Sequence, residues 1–285
     1  MKLENISNRI RKKIETFSLS YRYADVLNCN TELKDIHKGK RCFIIGSGPS
    51  IKDQDLLKLH NEQTFVVNTF WNHPQYKEIS PKYYVLLDGD VFPQPGQKLN
   101  FFVEQFLAKI NLLSSCPTGF FFHVSSRDFM EKNNVFSNNK IHYIFSQGNL
   151  KDNLDFNIDI DKMVPYGKNV IVSSIMIAAY MGFEEIYLLG CEHDFLAYPS
   201  YKHYEKFPHF FSNPYNLSEK EDTGYYAMAI MPYEKHIYSS LILFKNYRLL
   251  KEKLAIKKPA IKIYNATPNS FLDVFPMVKF EDIKI

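Results

Sequence analysis

An α/β fold with a mostly parallel, Rossmann-like sheet and helices on both faces is predicted by two features of this 285-residue sequence. Short apolar runs alternate with helical patterns from residue 41 onward, which is typical of parallel strands joined by crossover helices. The first run, residues 42–45, ends abruptly in the glycine-rich turn Gly46-Ser-Gly-Pro-Ser50. Hydrophobic residues make up 45% of the chain, enough to bury the core of one large domain.

The predicted strands are short and rich in β-branched and aromatic residues. In chain order they cover residues 42–45, 65–68, 83–88, 119–124, 141–145, 185–189 and 261–264. Residues 169–181 are apolar nearly all round, which predicts a buried helix, and residues 238–254 are amphipathic, which predicts a helix at the surface.

Two segments differ from this alternating pattern. Residues 1–40 carry one helical pattern and a polar stretch, and we interpret them as an N-terminal helical appendage to a single domain spanning residues 41–285. Residues 195–232 are rich in Tyr, His, Phe and Pro but weakly periodic. A long irregular insertion with many aromatic side chains is typical of a functional lid.

The composition excludes several classes of protein. The net charge of +4 is too small, and too dispersed, for a nucleic-acid-binding protein. The four cysteines form no CxxC pair and no secretory or membrane-spanning segment is evident, so we expect a soluble cytoplasmic protein. A basic N-terminal segment leaves peripheral contact with an anionic membrane open, and self-association is equally open.

The glycine-rich turn predicts a binding site for the phosphate of a nucleotide. Gly46 and Gly48 free the backbone, Pro49 fixes φ, and Ser50 or Asp53 can cap a following helix. Amides that converge at the start of a helix favour an anion. The alternative is a structural turn without a ligand.

Polar residues follow several other predicted strands, and in an open α/β sheet the ends of the strands line the ligand site. Asn68 and Thr69 follow the second strand. Asp88-Gly-Asp90 follows the third and has the form of the DxD element that holds a divalent cation, Mg or Mn, against a diphosphate. A solvated turn is the competing interpretation of this acidic pair.

The remaining candidates lie on helices and in the lid. Asn169 is placed to cap the buried helix, where a second set of amides could face the ligand, and Ser173 lies one turn further on. Three histidines stand out by position, because an imidazole can accept a proton near neutral pH: His193, His203 and His236.

Four segments together resemble the bacterial sialyltransferases of the Campylobacter type, which are glycosyltransferase family 42-like, and equally the related MptE-like (DUF115) superfamily. That superfamily includes motility accessory factors and archaeal hydroxymethylpterin pyrophosphokinases. The segments are residues 45–51, the strand end at Asn68, residues 178–190 and residues 263–270.

The resemblance implies a cytoplasmic glycosyltransferase of capsule or lipopolysaccharide assembly. It would transfer a nonulosonic acid such as sialic acid from a CMP-linked donor to a glycan acceptor, with inversion and without a metal cofactor. His236 would be the base, and the lid residues Tyr198 and Tyr201 would donate to the departing phosphate. The donor would lie against residues of the strand ends and the buried helix: Gly46, Ser47, Gly48, Pro49, Ser50, Asn68, Thr69, Asp88, Asn169 and Ser173.

Two alternatives stay open. Ser47 stands where the family has Asn, and the acidic pair Asp88 and Asp90 would repel phosphate unless a cation lies between them. That pair favours an Mg-dependent diphosphotransferase resembling the pterin enzyme, with both carboxylates as metal ligands. The other alternative is a nucleotide-binding or scaffold protein without catalysis, in which the aromatic lid serves an interface.

Overall fold

The computed structural model describes residues 18–19, 21–89, 91–93, 97–117, 119–197 and 232–285. Within them lies a seven-stranded sheet in which every pair of neighbours is parallel, so the predicted fold class is confirmed. The spatial order is β5-β4-β3-β2-β1-β6-β7. The strands are β1 (Arg41–Ile45), β2 (Thr64–Val67), β3 (Tyr83–Leu86), β4 (Gly119–His123), β5 (Ile141–Ile144), β6 (Glu185–Leu189) and β7 (Lys262–Asn265).

All seven strands coincide with predicted apolar runs, because a parallel strand buried on both faces is apolar throughout its length. β1 lies in the interior of the sheet, and four of its five residues, Cys42, Phe43, Ile44 and Ile45, have no exposed surface. Cys42 and Ile44 face one hydrophobic core, whereas Phe43 and Ile45 face the other. This alternation places one core on each side of the sheet.

The helices described by the structure are α1 (Ala24–Asn28), α2 (Tyr76–Ile79), α3 (Phe101–Ala108), α4 (Ile110–Leu113), α5 (Arg127–Lys132), α6 (Val170–Tyr180) and α7 (Tyr233–Lys257). All eleven residues of α6 are buried, which confirms the predicted buried helix. α6 crosses from the edge strand β5 back to β6 and packs over β1, β2 and β3. α7 also contributes to that core, through Leu243, Tyr247 and Leu250.

The order in which successive strands are added to the sheet reverses at the boundary between β1 and β6, which is the switch point of the fold. β2 to β5 extend from β1 to one edge, and β6 and β7 extend to the other. Loops that follow β1 and β6 therefore leave the sheet side by side at this switch point, and ligands of open α/β sheets bind in the crevice outside the strand ends there.

The described part of the expected N-terminal appendage lies against the sheet. α1 and the 3₁₀ turn Cys29–Leu33 pack onto β5. The fully buried Asn30 donates from Nδ2 to the carbonyl oxygens of Tyr143 and Ile160, at 2.8 and 2.9 Å. The helical pattern expected over residues 6–17 lies outside the described residues. In the described part of the chain, no helix combines the length and the apolar character needed to cross a membrane.

The Asn30→Ala substitution tests the contribution of this attachment to stability. It leaves two carbonyl groups without their donor in a buried setting, and each such loss costs about 1–3 kcal/mol. We expect the free energy of unfolding, measured by urea denaturation, to fall by about 2–4 kcal/mol. Asn28→Ala is the matched control, because Asn28 is exposed. Equal stability of the two variants would contradict this attachment.

Candidate functional site

The crevice at the switch point is bounded by two loops that are hydrogen-bonded to each other. The amide of Gly46, directly after β1, donates to the carbonyl of Leu189 at 2.8 Å. The amide of Gly48 donates to the carbonyl of Gly190 at 3.0 Å. Both bonds continue the β1–β6 pairing past the ends of the strands, so the two loops form one rigid wall.

Two glycines make this close approach possible. A Cβ atom on Gly46 would lie 2.4 Å from the carbonyl oxygen of Gly190, a contact with backbone that cannot move aside. Gly190 has φ of +61°, in the left-handed region, and a Cβ there would lie 2.7 Å from Cγ2 of Ile51. Neither position therefore tolerates a side chain without separating the loops.

Glu192 brings a carboxylate into the glycine-rich turn. Its Oε1 accepts a hydrogen bond from the amide of Ser50 at 2.6 Å. A Cβ on Gly48 would lie 1.5 Å from Oε2 of Glu192 and 2.7 Å from the backbone carbonyl oxygen of Gly190, so the turn packs closely against this loop. Burial raises the pKa of Glu192, partly offset by its bonds to Ser50.

Three buried polar atoms of this wall have no hydrogen-bond partner among the described residues. They are Oε2 of Glu192, Oγ of Ser47 and Oγ of Ser50. Glu192 and Ser47 are 8% and 9% exposed, and Ser50 is half-buried. A buried polar atom without a partner costs about 1–3 kcal/mol, so such atoms in a crevice indicate a place where a ligand or water supplies the missing bond.

The prediction of an α-helix after the glycine-rich turn is wrong. Two 3₁₀ turns, Pro49–Lys52 and Leu56–Leu59, stand in its place. Between them the buried Gln54 donates from Nε2 to the carbonyl of Ala266 at 3.0 Å, which holds the chain against the sheet. Asp53 follows the first turn instead of capping a helix start. The converging amides of a long helix, on which the predicted phosphate site depended, are therefore missing at this turn.

A polar network from the end of β7 holds the loop that carries Glu192. Asn265 is fully buried, and its Nδ2 donates to Oγ of Ser270 and to the carbonyl of Leu272. Thr267 Oγ1 accepts from the amide of Cys191 at 3.0 Å, and Ser270 Oγ donates to the carbonyl of Cys191 at 2.6 Å. Asn265 and Thr267 belong to residues 263–270, one of the four segments that carry the family resemblance. This segment thus positions the loop after β6.

His193 connects the same loop to the long helix α7. It has φ of +49°, and its Nε2 lies 2.9 Å from the hydroxyl oxygen of Tyr247. Burial lowers the pKa of His193 to about 4, so the imidazole is neutral at physiological pH. We therefore assign it the role of joining α7 to the loop.

The start of α7 lies beside the chain that leaves this loop. α7 packs against the 3₁₀ turn Phe195–Ala197, and the hydroxyl of Tyr233 donates to the carbonyl of Leu196 at 2.7 Å. His236 is in the first turn of α7 and is 6% exposed. This arrangement places the predicted base on the element that adjoins the crevice.

A second cluster lies at the ends of β3 and β4. Asp88 accepts a hydrogen bond from the hydroxyl of Tyr166. Burial and the Asp88 carboxylate raise the pKa of Tyr166, so the phenol stays protonated and donates. Ser125 donates to the carbonyl of Gly89 at 2.7 Å and lies 2.8 Å from Nδ1 of His123.

Of the predicted residues Asn68, Thr69, Asn169 and Ser173, the last two support this second cluster. Asn68 has φ of +48° and its carbonyl accepts from the hydroxyl of Tyr84, while Thr69 is buried behind it. Asn169 caps α6 by accepting from the amide of Ile171 at 2.7 Å. Ser173 donates to the carbonyl of Tyr166 at 3.1 Å. The last two side chains thus hold α6 and Tyr166 in place.

The structure brings some of the predicted site residues together. Residues 46–50 share the crevice with Glu192, and Asp88 shares the second cluster with the residues that hold Tyr166. Asp90, Tyr198, Tyr201 and His203 lie outside the described residues, as does most of the expected lid. Within the described ranges, no group of three or more His, Cys, Asp or Glu side chains could hold a metal ion.

Glu192 is the residue that the sequence interpretation missed. The available signal was the spacing Gly190-Cys-Glu192 directly after an apolar strand, opposite a second glycine-rich strand end. The contact of Glu192 with the turn after β1 could not be predicted, because it requires β1 and β6 to be neighbours in the sheet.

Comparison with known proteins gave one family and one structural neighbour of note. The family model described as 6-hydroxymethylpterin diphosphokinase MptE-like matches residues 21–197. No curated protein matches the sequence. The structure of MAf glycosyltransferase from Magnetospirillum magneticum AMB-1 has a TM-score of 0.49 and 14% identity. The match covers 92% of this chain and 39% of that protein, so this chain spans about two fifths of its length.

The raised pKa of Glu192 predicts a pH dependence of stability. A carboxyl group with a raised pKa in the folded state stabilises the fold below its unfolded pKa of about 4.5, and this contribution is lost as pH rises through the folded pKa. We therefore expect Glu192→Gln to gain stability over the unchanged chain as pH rises from about 4.5 towards neutrality. The slope of this gain is at most about 1.4 kcal/mol per pH unit.

Urea denaturation between pH 4 and 8 measures this difference. The lowered pKa of His193 acts in the opposite sense, because its contribution is lost as pH falls from 6.5 to about 4. It is present in both chains and cancels in the difference. Asp273→Asn, which removes an exposed carboxylate that is not among the charges acting on Glu192, is the control. A stability difference that does not vary with pH would refute the raised pKa.

Proposed function

The chain belongs to the MptE-like family, and from this premise we propose that it is a transferase that binds a nucleotide-linked donor in the crevice outside the ends of β1 and β6. The reaction we propose first is glycosyl transfer, with a CMP-linked nonulosonic acid as donor and a glycan as acceptor. The geometry of the crevice and of the start of α7 supports this proposal.

The observation that carries the proposal is the contact of α7, whose first turn contains His236, with the chain that leaves the loop of Glu192. The chain after Glu192 and His193 runs directly into the turn Phe195–Ala197, against which the first turn of α7 packs. A proton acceptor and a wall with unpartnered hydrogen-bonding atoms therefore belong to one contiguous part of the molecule. Glycosyl transfer requires that the nucleotide-linked donor binds close to a base that can accept the proton of the acceptor hydroxyl.

The proposed chemistry follows from these positions. The imidazole of His236 accepts the proton of the acceptor hydroxyl as its oxygen bonds to the anomeric carbon of the donor sugar. The bond from that carbon to the CMP phosphate oxygen breaks, and the electron pair leaves with CMP. Attack from the face opposite the leaving group inverts the configuration. Hydroxyl donors near the phosphate, for which we propose Tyr198 and Tyr201, stabilise the charge that develops there.

Diphosphate transfer is the second candidate, favoured by the description of the family itself. In this reaction ATP would supply a diphosphate to a hydroxymethyl group, and divalent cations would neutralise the phosphates. Asp88 would be one cation ligand and Asp90 another. Asp88 lies at the end of β3 and accepts a bond from Tyr166, so its carboxylate is held in a fixed orientation.

The two candidates are separated by thermal shift and donor turnover with a panel of ligands. CMP, UDP, GDP and ATP are each tested with EDTA and with Mg, followed by hydrolysis of the matching sugar nucleotides. We expect stabilisation by CMP whether or not EDTA is present, and hydrolysis of CMP-linked sugars. Stabilisation by ATP with Mg alone, and its loss in Asp88→Asn, would favour diphosphate transfer. No response to any nucleotide would refute both.

His236→Ala tests the proposed base. Loss of a general base lowers the rate by roughly 10²–10⁴-fold, whereas nucleotide affinity should stay within about twofold. The measurements are kcat for transfer and calorimetric titration with CMP. His236→Gln keeps a polar side chain at this buried position and should be equally slow, while the exposed neighbour Lys235→Ala is the control. If both His236 variants turned over the donor at nearly the rate of the unchanged chain, His236 would not be the base.

A further inference from the structure

The glycine-rich turn has few free amides to offer an anion. The amides of Gly46 and Gly48 are bonded to the backbone of the loop after β6, and Pro49 has no N–H group. The amide of Ser50 is bonded to the carboxylate of Glu192. A phosphate group at a loop of this kind is held by several converging amides. Three of the four amide groups in this turn that could contribute already have acceptors.

The partner of Ser50 also carries the wrong charge for a phosphate neighbour. An ionised Glu192 would repel a phosphate dianion placed at the same amide, and the interaction is strong in a buried setting. The atoms that lack partners are one carboxylate oxygen, Oε2 of Glu192, and two hydroxyls, Oγ of Ser47 and Oγ of Ser50. A carboxylate oxygen accepts hydrogen bonds and a serine hydroxyl both accepts and donates them. A ligand group that both donates and accepts hydrogen bonds, such as a hydroxyl, can satisfy all three atoms.

We propose that Ser47 and Glu192 form a subsite for a vicinal diol, the ribose of the donor nucleotide, and that the phosphate binds outside the glycine-rich turn. This inference rests on the proposed nucleotide-dependent function and specifies which part of the donor the turn contacts. One ribose hydroxyl donates to the carboxylate of Glu192. The other exchanges a hydrogen bond with Ser47.

The chemistry of both partners fits a diol. Carboxylates that bind ribose hydroxyls recur at the strand ends of dinucleotide-binding sheets, where the charge-assisted bond gives both affinity and selectivity. Here the carboxylate comes from the end of β6, across the switch point from the turn.

Binding of ribonucleotides and their dideoxy counterparts to the full chain tests this subsite. The probes are CMP, UMP, GMP and AMP, each beside its 2′,3′-dideoxy form, with inorganic pyrophosphate as a ligand that has no sugar. Calorimetric titration gives each affinity. We expect the strongest ribonucleotide to bind roughly tenfold more tightly than its dideoxy form, the value for one charge-assisted hydrogen bond.

The variants assign this preference to the two side chains. Glu192→Gln should weaken the ribonucleotide roughly tenfold and leave the dideoxy form within about twofold. Ser47→Ala, which removes a neutral hydroxyl, should weaken the ribonucleotide by about threefold. Asp194→Asn is the matched control next in the loop and should change neither affinity. Melting curves of each variant establish that it is folded.

Three results would overturn the subsite. The first is equal affinity of the unchanged chain for the ribonucleotide and its dideoxy form. The second is tighter binding of pyrophosphate and of both nucleotides in Glu192→Gln, which would show that Glu192 only occupies an anion site. The third is the absence of nucleotide binding.

The outcome is separable from that of the proposed function, because no transfer step is measured. Ribose discrimination that depends on Glu192, together with no turnover of any donor, would keep the subsite and refute the transferase. Sugar transfer without ribose discrimination would do the reverse.

Discussion

The candidate site depends on the approach of two backbones just beyond the ends of β1 and β6. A Cβ on Gly46 would come within 2.4 Å of the carbonyl oxygen of Gly190, so the loops touch through backbone alone. This contact is possible because the strands are neighbours in the sheet and both turns begin with glycine. It brings the loop of β6 over the turn of β1, and so places Glu192 beside Gly48 and Ser50.

Buried polar bonds keep that arrangement fixed. Asn265, Thr267 and Ser270 bond to each other or to the loop after β6, and His193 connects this loop to Tyr247 of α7. Each buried bond of this kind contributes only about 1 kcal/mol net, but breaking one leaves a buried group unsatisfied at greater cost. The network therefore defines one loop geometry, and the start of α7 adjoins the chain that leaves it.

The fold was predictable from the sequence, because every strand of a doubly covered parallel sheet is a short apolar run and α6 is apolar on all sides. The site was predictable only as a set of strand ends. The helix expected after Ser50 failed because Gln54 binds the carbonyl of Ala266, more than two hundred residues away. Glu192 escaped notice for the same reason, since its role is set by a partner across the sheet. Periodicity reports local structure and cannot report such contacts.

The carboxylate of Glu192 makes the glycine-rich turn after β1 a poor binding site for phosphate in this protein. Such a turn favours phosphate when its amides are free and a helix begins at its end. Here the amides of Gly46, Gly48 and Ser50 already have acceptors, and one acceptor is itself acidic. A Cβ on Gly48 would overlap this carboxylate and would also lie 2.7 Å from the carbonyl oxygen of Gly190, which is backbone and cannot move aside. The glycines of this turn thus allow the loops after β1 and β6 to approach each other closely. In this chain the glycine-rich pattern is used for a contact within the protein instead of a contact with phosphate.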